Sequence, residues 1–191
     1  MRIVPAVRVA AGLLLVAGVG TAAWLTVLRP APPPSGSSGG LARLGGTAPP
    51  IFLPRLDGGT ADLNAEHGNV VLLNFWATWC EPCRAEMPGL QQLADELRGQ
   101  PFTLYSINLQ EDPPAIEPFE RQLSLHLPVL LDADGDVTRA YGVRALPATF
   151  VIDQQGVVRQ QRLGPLVEGG PSTPWSRDWL AAQIHLLLAG G

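Results

Sequence analysis

Hydrophobic and polar positions change rhythm three times along this chain. From Val9 to Leu28 twenty residues carry no charge. At about 1.5 Å per helical residue that run spans about 30 Å, the thickness of a bilayer core, so its length predicts one transmembrane helix. A cleavable signal peptide is the competing reading, because Arg2 and Arg8 resemble an n-region and Thr21-Ala22-Ala23 offers small residues for cleavage. Signal h-regions are shorter, however, and Trp24 followed by Arg29 has the look of an interfacial border, which favours an uncleaved anchor over residues 1–29. Arg2, Arg8 and the terminal amine outweigh Arg29, which puts the N-terminus in the cytoplasm and everything after the anchor outside it. Residues 30–46 are rich in Pro, Gly, Ser and Ala without hydrophobic periodicity, and read as a flexible tether.

From Thr47 onward the pattern is that of a globular domain, assigned to residues 47–191. Asp57-Gly58-Gly59 supplies a turn between Ile51–Leu56 and Thr60–Leu63, predicting a hairpin. Val70-Val71-Leu72-Leu73-Asn74-Phe75-Trp76 is nearly continuous in apolar strand formers, as a central strand covered on both faces should be. Met87, Leu90, Ala94 and Leu97 then recur at helical spacing up to Gly99, with Pro88 inside the helix and a kink expected there. Phe102–Asn108 reads as a strand, Ala115–Leu123 as a helix with Ile116, Phe119 and Leu123 inward, and Val129–Leu131 as a short strand. A brief helix over Val137–Tyr141 ends at Gly142. Thr149–Asp153 and Val157–Leu163 flank Asp153-Gln154-Gln155-Gly156 as a second hairpin. The last helix, Trp175–Leu188, presents Trp179, Leu180, Ile184, Leu187 and Leu188 inward. Alternating strands and helices closed by a hairpin and a helix predict an α/β fold, a mixed sheet flanked by helices.

Composition narrows the function. The chain has 191 residues, a net charge of −4 and no lysine, all 13 basic residues being arginine. No cationic face is available for nucleic acid, and both Schiff-base lysine chemistry and the lysine of a phosphate-binding loop are excluded. The two cysteines are Cys80 and Cys83. A bridge between them closes almost no loop, so it stabilises little and its value is chemical. Structural zinc needs four ligands, and His67, His126 and His185 show no paired ligand spacing. Arg84 stands where haem attachment needs histidine.

A buried-type strand runs into Cys80-Glu81-Pro82-Cys83 and a helix leads out, the context that marks a redox dithiol. The helix N-terminus favours the thiolate, which makes Cys80 the nucleophile; Cys83, one turn further in, is the resolving thiol. Thiol–disulfide exchange then runs through a mixed disulfide on Cys80 that Cys83 resolves. No metal or organic cofactor is called for; the redox group is the Cys80–Cys83 couple itself.

The segment Asn74-Phe75-Trp76-Ala77-Thr78-Trp79-Cys80-Glu81-Pro82-Cys83-Arg84-Ala85-Glu86-Met87-Pro88 resembles the active-site signature of the TlpA/ResA-like family of membrane-anchored, thioredoxin-fold thiol–disulfide oxidoreductases. Tyr141-Gly142-Val143-Arg144-Ala145-Leu146-Pro147-Ala148-Thr149-Phe150-Val151-Ile152-Asp153 resembles its second signature, and the likeness spans residues 47–163. It implies a thioredoxin fold with four or five central strands, an N-terminal β-hairpin, a helical insertion between the second and third core strands, and a cis bond before Pro147. Pro147 would pack on the disulfide and expose the backbone of Leu146 to substrate; otherwise it is an ordinary strand-start proline. Cytosolic thioredoxins carry a buried Asp where this chain has Asn74, and the resemblance implies that Glu86 takes over proton handling. The alternative for Glu86 is a favourable carboxylate at a helix N-terminus. Glu81 and Pro82 lie between the cysteines, where Glu81 either tunes potential and partner choice or is a solvated carboxylate. Trp79 is expected to shield the disulfide and meet substrate, and Trp76 to belong to the core.

The resemblance further implies a reductant of protein disulfides on the periplasmic or extracytoplasmic side of a bacterial inner membrane, with apocytochrome c as one expected substrate. A membrane electron-transfer partner would supply electrons, and residues 9–28 would contact lipid. A disulfide oxidase or isomerase, a Cu(I)-delivery protein and a peroxidase are the competing functions; the two-residue spacing between the cysteines argues against the copper carrier.

Overall fold

The computed structural model describes residues 41–190, so the expected membrane helix at 9–28 and most of the tether lie outside the described residues. Among those described, no helix is long and apolar enough to cross a membrane.

The apolar run at 70–76 forms β3 (Val70–Trp76), with all seven residues buried. Its period-two geometry splits the core. Val70, Leu72 and Trp76 face one hydrophobic cluster, and Val71, Leu73 and Phe75 face another. Each fully buried Leu or Phe here contributes about 1.5–3 kcal/mol. Around β3 the sheet adds β4 (Phe102–Leu109), β5 (Val129–Asp132), β6 (Ala148–Ile152) and β7 (Val158–Leu163), in the order β5-β4-β3-β6-β7. The β3–β4 and β4–β5 pairs are parallel, whereas β3–β6 and β6–β7 are antiparallel. The mixed sheet and its five strands agree with the thioredoxin fold expected from the resemblance.

Three helices supply the first cluster: α1 (Glu81–Glu96) through Met87, Leu90 and Leu93, α2 (Pro113–Leu123) through Ile116 and Phe119, and α4 (Arg177–Ala189) through Leu180, Ala181 and Ile184. The opposite face is closed by α3 (Asp136–Ala140), by Tyr141 and by the hairpin of β1 (Phe52–Pro54) and β2 (Thr60–Asp62). Phe75, Tyr141 and Phe150 meet there with ring centroids 5.1–5.7 Å apart. The insertion between β4 and β6 is more than helical: it holds α2, the edge strand β5 and α3. The hairpin shields that edge, since the Leu56 N–H donates to the Val129 carbonyl at 2.9 Å and Arg55 bridges to Leu130.

Several boundaries differ from the sequence pattern for local reasons. The globular fold begins earlier than composition suggests, because the Ala42 N–H reaches the Ala140 carbonyl and the Gly45 N–H that of Val158. The hairpin strands are three residues each, and Leu63 leaves β2 to open a 3-10 turn in which the Asp62 carboxylate accepts the Asn64 N–H. Helix α2 starts two residues early, at Pro113-Pro114, where missing N–H groups would be unpaired in any case. Helix α1 continues through Pro88 as one 16-residue element. Helix α4 begins after Ser176, which accepts the Trp179 N–H at 3.1 Å; Trp175 stays outside it at φ 66°.

Candidate active site

Strand β3 ends on Trp76, and the three residues Ala77-Thr78-Trp79 deliver Cys80 to the N-cap of α1. That short loop is pinned by a residue the sequence reading did not single out. Glu111, beyond the end of β4, accepts the Thr78 N–H at 2.7 Å, the Thr78 hydroxyl at 2.5 Å and the Asn108 amide at 2.8 Å. The Cys80 N–H turns back to the Ala77 carbonyl at 3.1 Å. The loop that carries Cys80 is thereby held by hydrogen bonds to a carboxylate at a neighbouring strand end rather than by its own main chain alone.

Cys80 and Cys83 are joined, with an S–S distance of 2.03 Å and Cα atoms 5.3 Å apart. Cys80 has β-region backbone angles, and its sulfur accepts the first-turn N–H of Cys83 at 3.3 Å. A sulfur in that place is stabilised as thiolate once the bridge opens, by the N–H and by the positive end of α1. Cys80 keeps 5% of its surface exposed and Cys83 none. The order of access is the one expected from their places in the helix.

Trp79 stands 69% exposed next to Cys80, and Glu81 and Pro82 are also exposed. The Glu81 carboxylate approaches Arg84 at 3.7 Å while remaining almost wholly in solvent, a pairing of little energetic weight. Trp76 is fully buried and stacks on Phe119 at 4.8 Å, a core residue as expected.

Glu86 lies one turn along α1 and is only 7% exposed. Its two oxygens are taken by partners distant in sequence: the Asn74 amide donates to Oε1 at 2.7 Å and the Leu166 N–H to Oε2 at 2.8 Å. These contacts, rather than the unpaired N–H groups of the helix start, hold the carboxyl in place. Burial pushes its pKa up to about 7, against the Leu166 and Asn74 hydrogen bonds and the charge of Arg162, which all favour the anion. Asn74 has no titratable group of its own and meets Glu86 as a neutral hydrogen-bond donor. Its amide also reaches the Thr149 hydroxyl at 3.3 Å.

Pro147 and Leu146 join the same end of the sheet. Pairing of Ala148 with Phe75 sets the start of β6 against the end of β3, where the cysteine loop begins. The Leu146–Pro147 bond is cis and Pro147 is buried. The Pro147 carbonyl accepts the Gly164 N–H at 2.8 Å, while neither main-chain group of Leu146 is hydrogen-bonded among the described residues. A cleft of about 630 Å³ opens beside the bridge, lined by Pro82, Ala85, Glu86, Leu166, Val167 and Arg177 among others. No three His, Cys, Asp or Glu side chains converge to hold a metal ion among the described residues. Leu166, Arg162, Glu111 and Thr149 are the contributors that sequence reading missed. Their spacing from Cys80 carries no local signal.

Comparison with known proteins agrees with this geometry. Residues 44–161 match the model of the AhpC/TSA family. The thiol–disulfide oxidoreductase ResA of Geobacillus thermodenitrificans is 36% identical over 125 residues, covering 65% of this chain and 72% of the relative. ResA of Bacillus subtilis is 35% identical over 124 residues, covering 65% and 69%. Among solved structures, a thiol:disulfide interchange protein DsbE of Chlorobium tepidum superposes with a TM-score of 0.67 at 31% identity, over 77% of this chain and 99% of its own. A bridged Cys-x-x-Cys at the start of a helix, set on a five-stranded mixed sheet and accompanied by these likenesses, shows that the chain belongs to the AhpC/TSA family, within the ResA-type thiol–disulfide oxidoreductases of the thioredoxin fold.

Proposed function

We propose that this protein works as a reductant of disulfides in partner proteins outside the cytoplasm, apocytochrome c among them. The observation that carries the reading is the pairing of a sulfur at a helix N-cap, less buried than its Cys83 partner, with a buried carboxyl poised near neutrality. In the reduced protein the Cys80 thiolate attacks a substrate disulfide, forming a Cys80–substrate bond and releasing one substrate thiolate, which takes a proton from water. Cys83 then loses its proton, with anionic Glu86 as the acceptor, and attacks the Cys80 sulfur. The second substrate sulfur leaves as a thiolate and takes up the proton that Glu86 accepted, and the Cys80–Cys83 bridge is restored. Two electrons have passed to the substrate, so a membrane electron-transfer partner is needed to reduce the bridge again.

Trp79, Glu81 and Pro82 offer the partner an exposed surface next to the attacked bond. The unpaired main chain of Leu146, held by Pro147 at the sheet end, suits strand-like docking of the segment around the substrate cysteine. The uncharged run at 9–28 supports a single-pass anchor in a bacterial inner membrane, with its own lipid contacts and the active site facing the periplasm.

Equilibration of the bridge against glutathione mixtures tests the direction. A reductant has a potential more negative than about −200 mV, whereas a value near the −120 mV or so of a strong oxidase makes the protein a donor of disulfides.

A further inference from the structure

The family match stops at residue 161, just before a segment that reaches back to the site. Between β7 and α4 the chain from Gly164 to Ser176 folds into a self-closed strap. The Val167 N–H donates to the Trp175 carbonyl at 3.0 Å, and the Ser176 hydroxyl to the Gly170 carbonyl at 2.7 Å. The Thr173 N–H also reaches the Gly170 carbonyl, at 2.9 Å. Gly169 has φ +149°, and a Cβ there would lie 2.5–2.8 Å from Thr173, so only glycine lets the strap close.

Arg162, at the end of β7, grips the strap at both ends. Its Nε donates to the Pro165 carbonyl at 2.7 Å, and its guanidinium lies over the Trp175 ring at 5.8 Å. Trp175 in turn packs on Trp179 of α4, with centroids 5.1 Å apart. Between the gripped ends is Leu166, whose N–H holds the second oxygen of Glu86. In register, Arg162 pairs with Thr149, which itself contacts the Asn74 amide on the first oxygen.

We propose that Arg162 is a positioning residue for the exchange reaction: by fastening the strap at Pro165 and Trp175 it keeps the Leu166 N–H on Glu86 and so fixes the pH at which that carboxyl accepts a proton. The inference rests on the reading of Glu86 as proton acceptor. Every element around the carboxyl contributes to its surroundings. Asn74 comes from β3, Arg162 from β7 and the Leu166 N–H from the strap, and the cysteines of α1 join when reduced. Glu168 of the strap and Arg177 and Asp178 of α4 line the same cleft, with Arg177 tied to Glu96 and Asp178. The N–H and the guanidinium both favour the anion, so loosening the strap moves Glu86 towards its protonated form.

The test is a carboxyl ¹³C NMR titration of Glu86 in the oxidised full-length protein, where neither cysteine carries a proton, alongside the pH dependence of disulfide reduction. Arg162→Gln removes the grip and the charge; Gly169→Ala disturbs the strap and removes no charge. Both are expected to raise the Glu86 titration midpoint by about half a pH unit to one unit, the scale of weakening one hydrogen bond to a charged group, and to shift the reaction profile the same way. Arg162→Lys, which keeps the charge, is expected to show only part of the shift. In a Glu86→Gln background neither substitution should move the profile. Unmoved midpoints in both variants, or a profile shift that persists with Glu86→Gln, overturn the role of Arg162 while leaving Glu86 in place. A wild-type profile indifferent to Glu86→Gln instead overturns the reading of Glu86 itself.

Discussion

Replacing Glu86 with Gln should change how stability depends on pH, with a sign and size that follow from the site. The fold carries this carboxyl from its ordinary 4.5 to about 7 because burial disfavours its charge. A carboxyl whose folded value lies above its unfolded value favours the folded state when protonated. Its stabilising contribution is complete below about pH 4.5 and is lost as pH rises through about 7. The difference between the two values corresponds to about 3 kcal/mol. Gln cannot titrate, but it offers one acceptor oxygen to two donors, Asn74 and Leu166, and one clash of donors adds a pH-independent cost of about 1–3 kcal/mol. The readout is therefore the slope and not the offset. Urea unfolding of the oxidised wild type and Glu86→Gln proteins from pH 4 to 8.5 should show the wild type losing about 3 kcal/mol relative to the variant between pH 4.5 and 8. A difference that stays flat over that range would mean that Glu86 titrates as an ordinary surface carboxyl, and the proton-handling argument would fall with it.

Two further substitutions probe the supports of the site. Glu111→Ala should release Thr78 and Asn108, lower stability by about 1–3 kcal/mol and change the alkylation rate of reduced Cys80; an unchanged urea midpoint together with an unchanged rate would show that the cysteine loop holds itself. Asn74→Asp should place a second buried acid against Glu86, so that the two titrate as a coupled pair in separate steps and stability falls above pH 7. A single step at the wild-type midpoint would contradict that contact.

How far the sequence revealed this site depends on the range of each interaction. Strand β3 was legible because seven adjacent residues are all buried, and α1 because Met87, Leu90 and Leu97 keep helical spacing on one face. The bridge was legible because its two partners are three residues apart. Helical spacing placed the start of α2 at Ala115, yet Pro113-Pro114 opens it, where absent N–H groups are harmless. The polar scaffold was not legible. Glu111 reaches Thr78 across 33 positions and Leu166 reaches Glu86 across 80, and no periodicity connects residues that meet only after the sheet is assembled. Arg162 and the strap lie beyond both signatures and look like a polar strand end followed by a Gly/Pro-rich loop. Glu86 itself was reached through the family likeness; burial and the Asn74 contact supply the physical reason.

Trapping of covalent complexes tests most directly the claim that Cys80 attacks and Cys83 resolves. With Cys83→Ser the N-cap sulfur remains and its resolving partner is gone, so mixed disulfides with a disulfide-containing protein should accumulate and vanish on adding dithiothreitol. With Cys80→Ser the one remaining cysteine, Cys83, is fully buried, and complexes should be nearly absent. Equal trapping by the two variants, or stronger trapping by Cys80→Ser, would contradict the division of labour built on the N-cap position of Cys80.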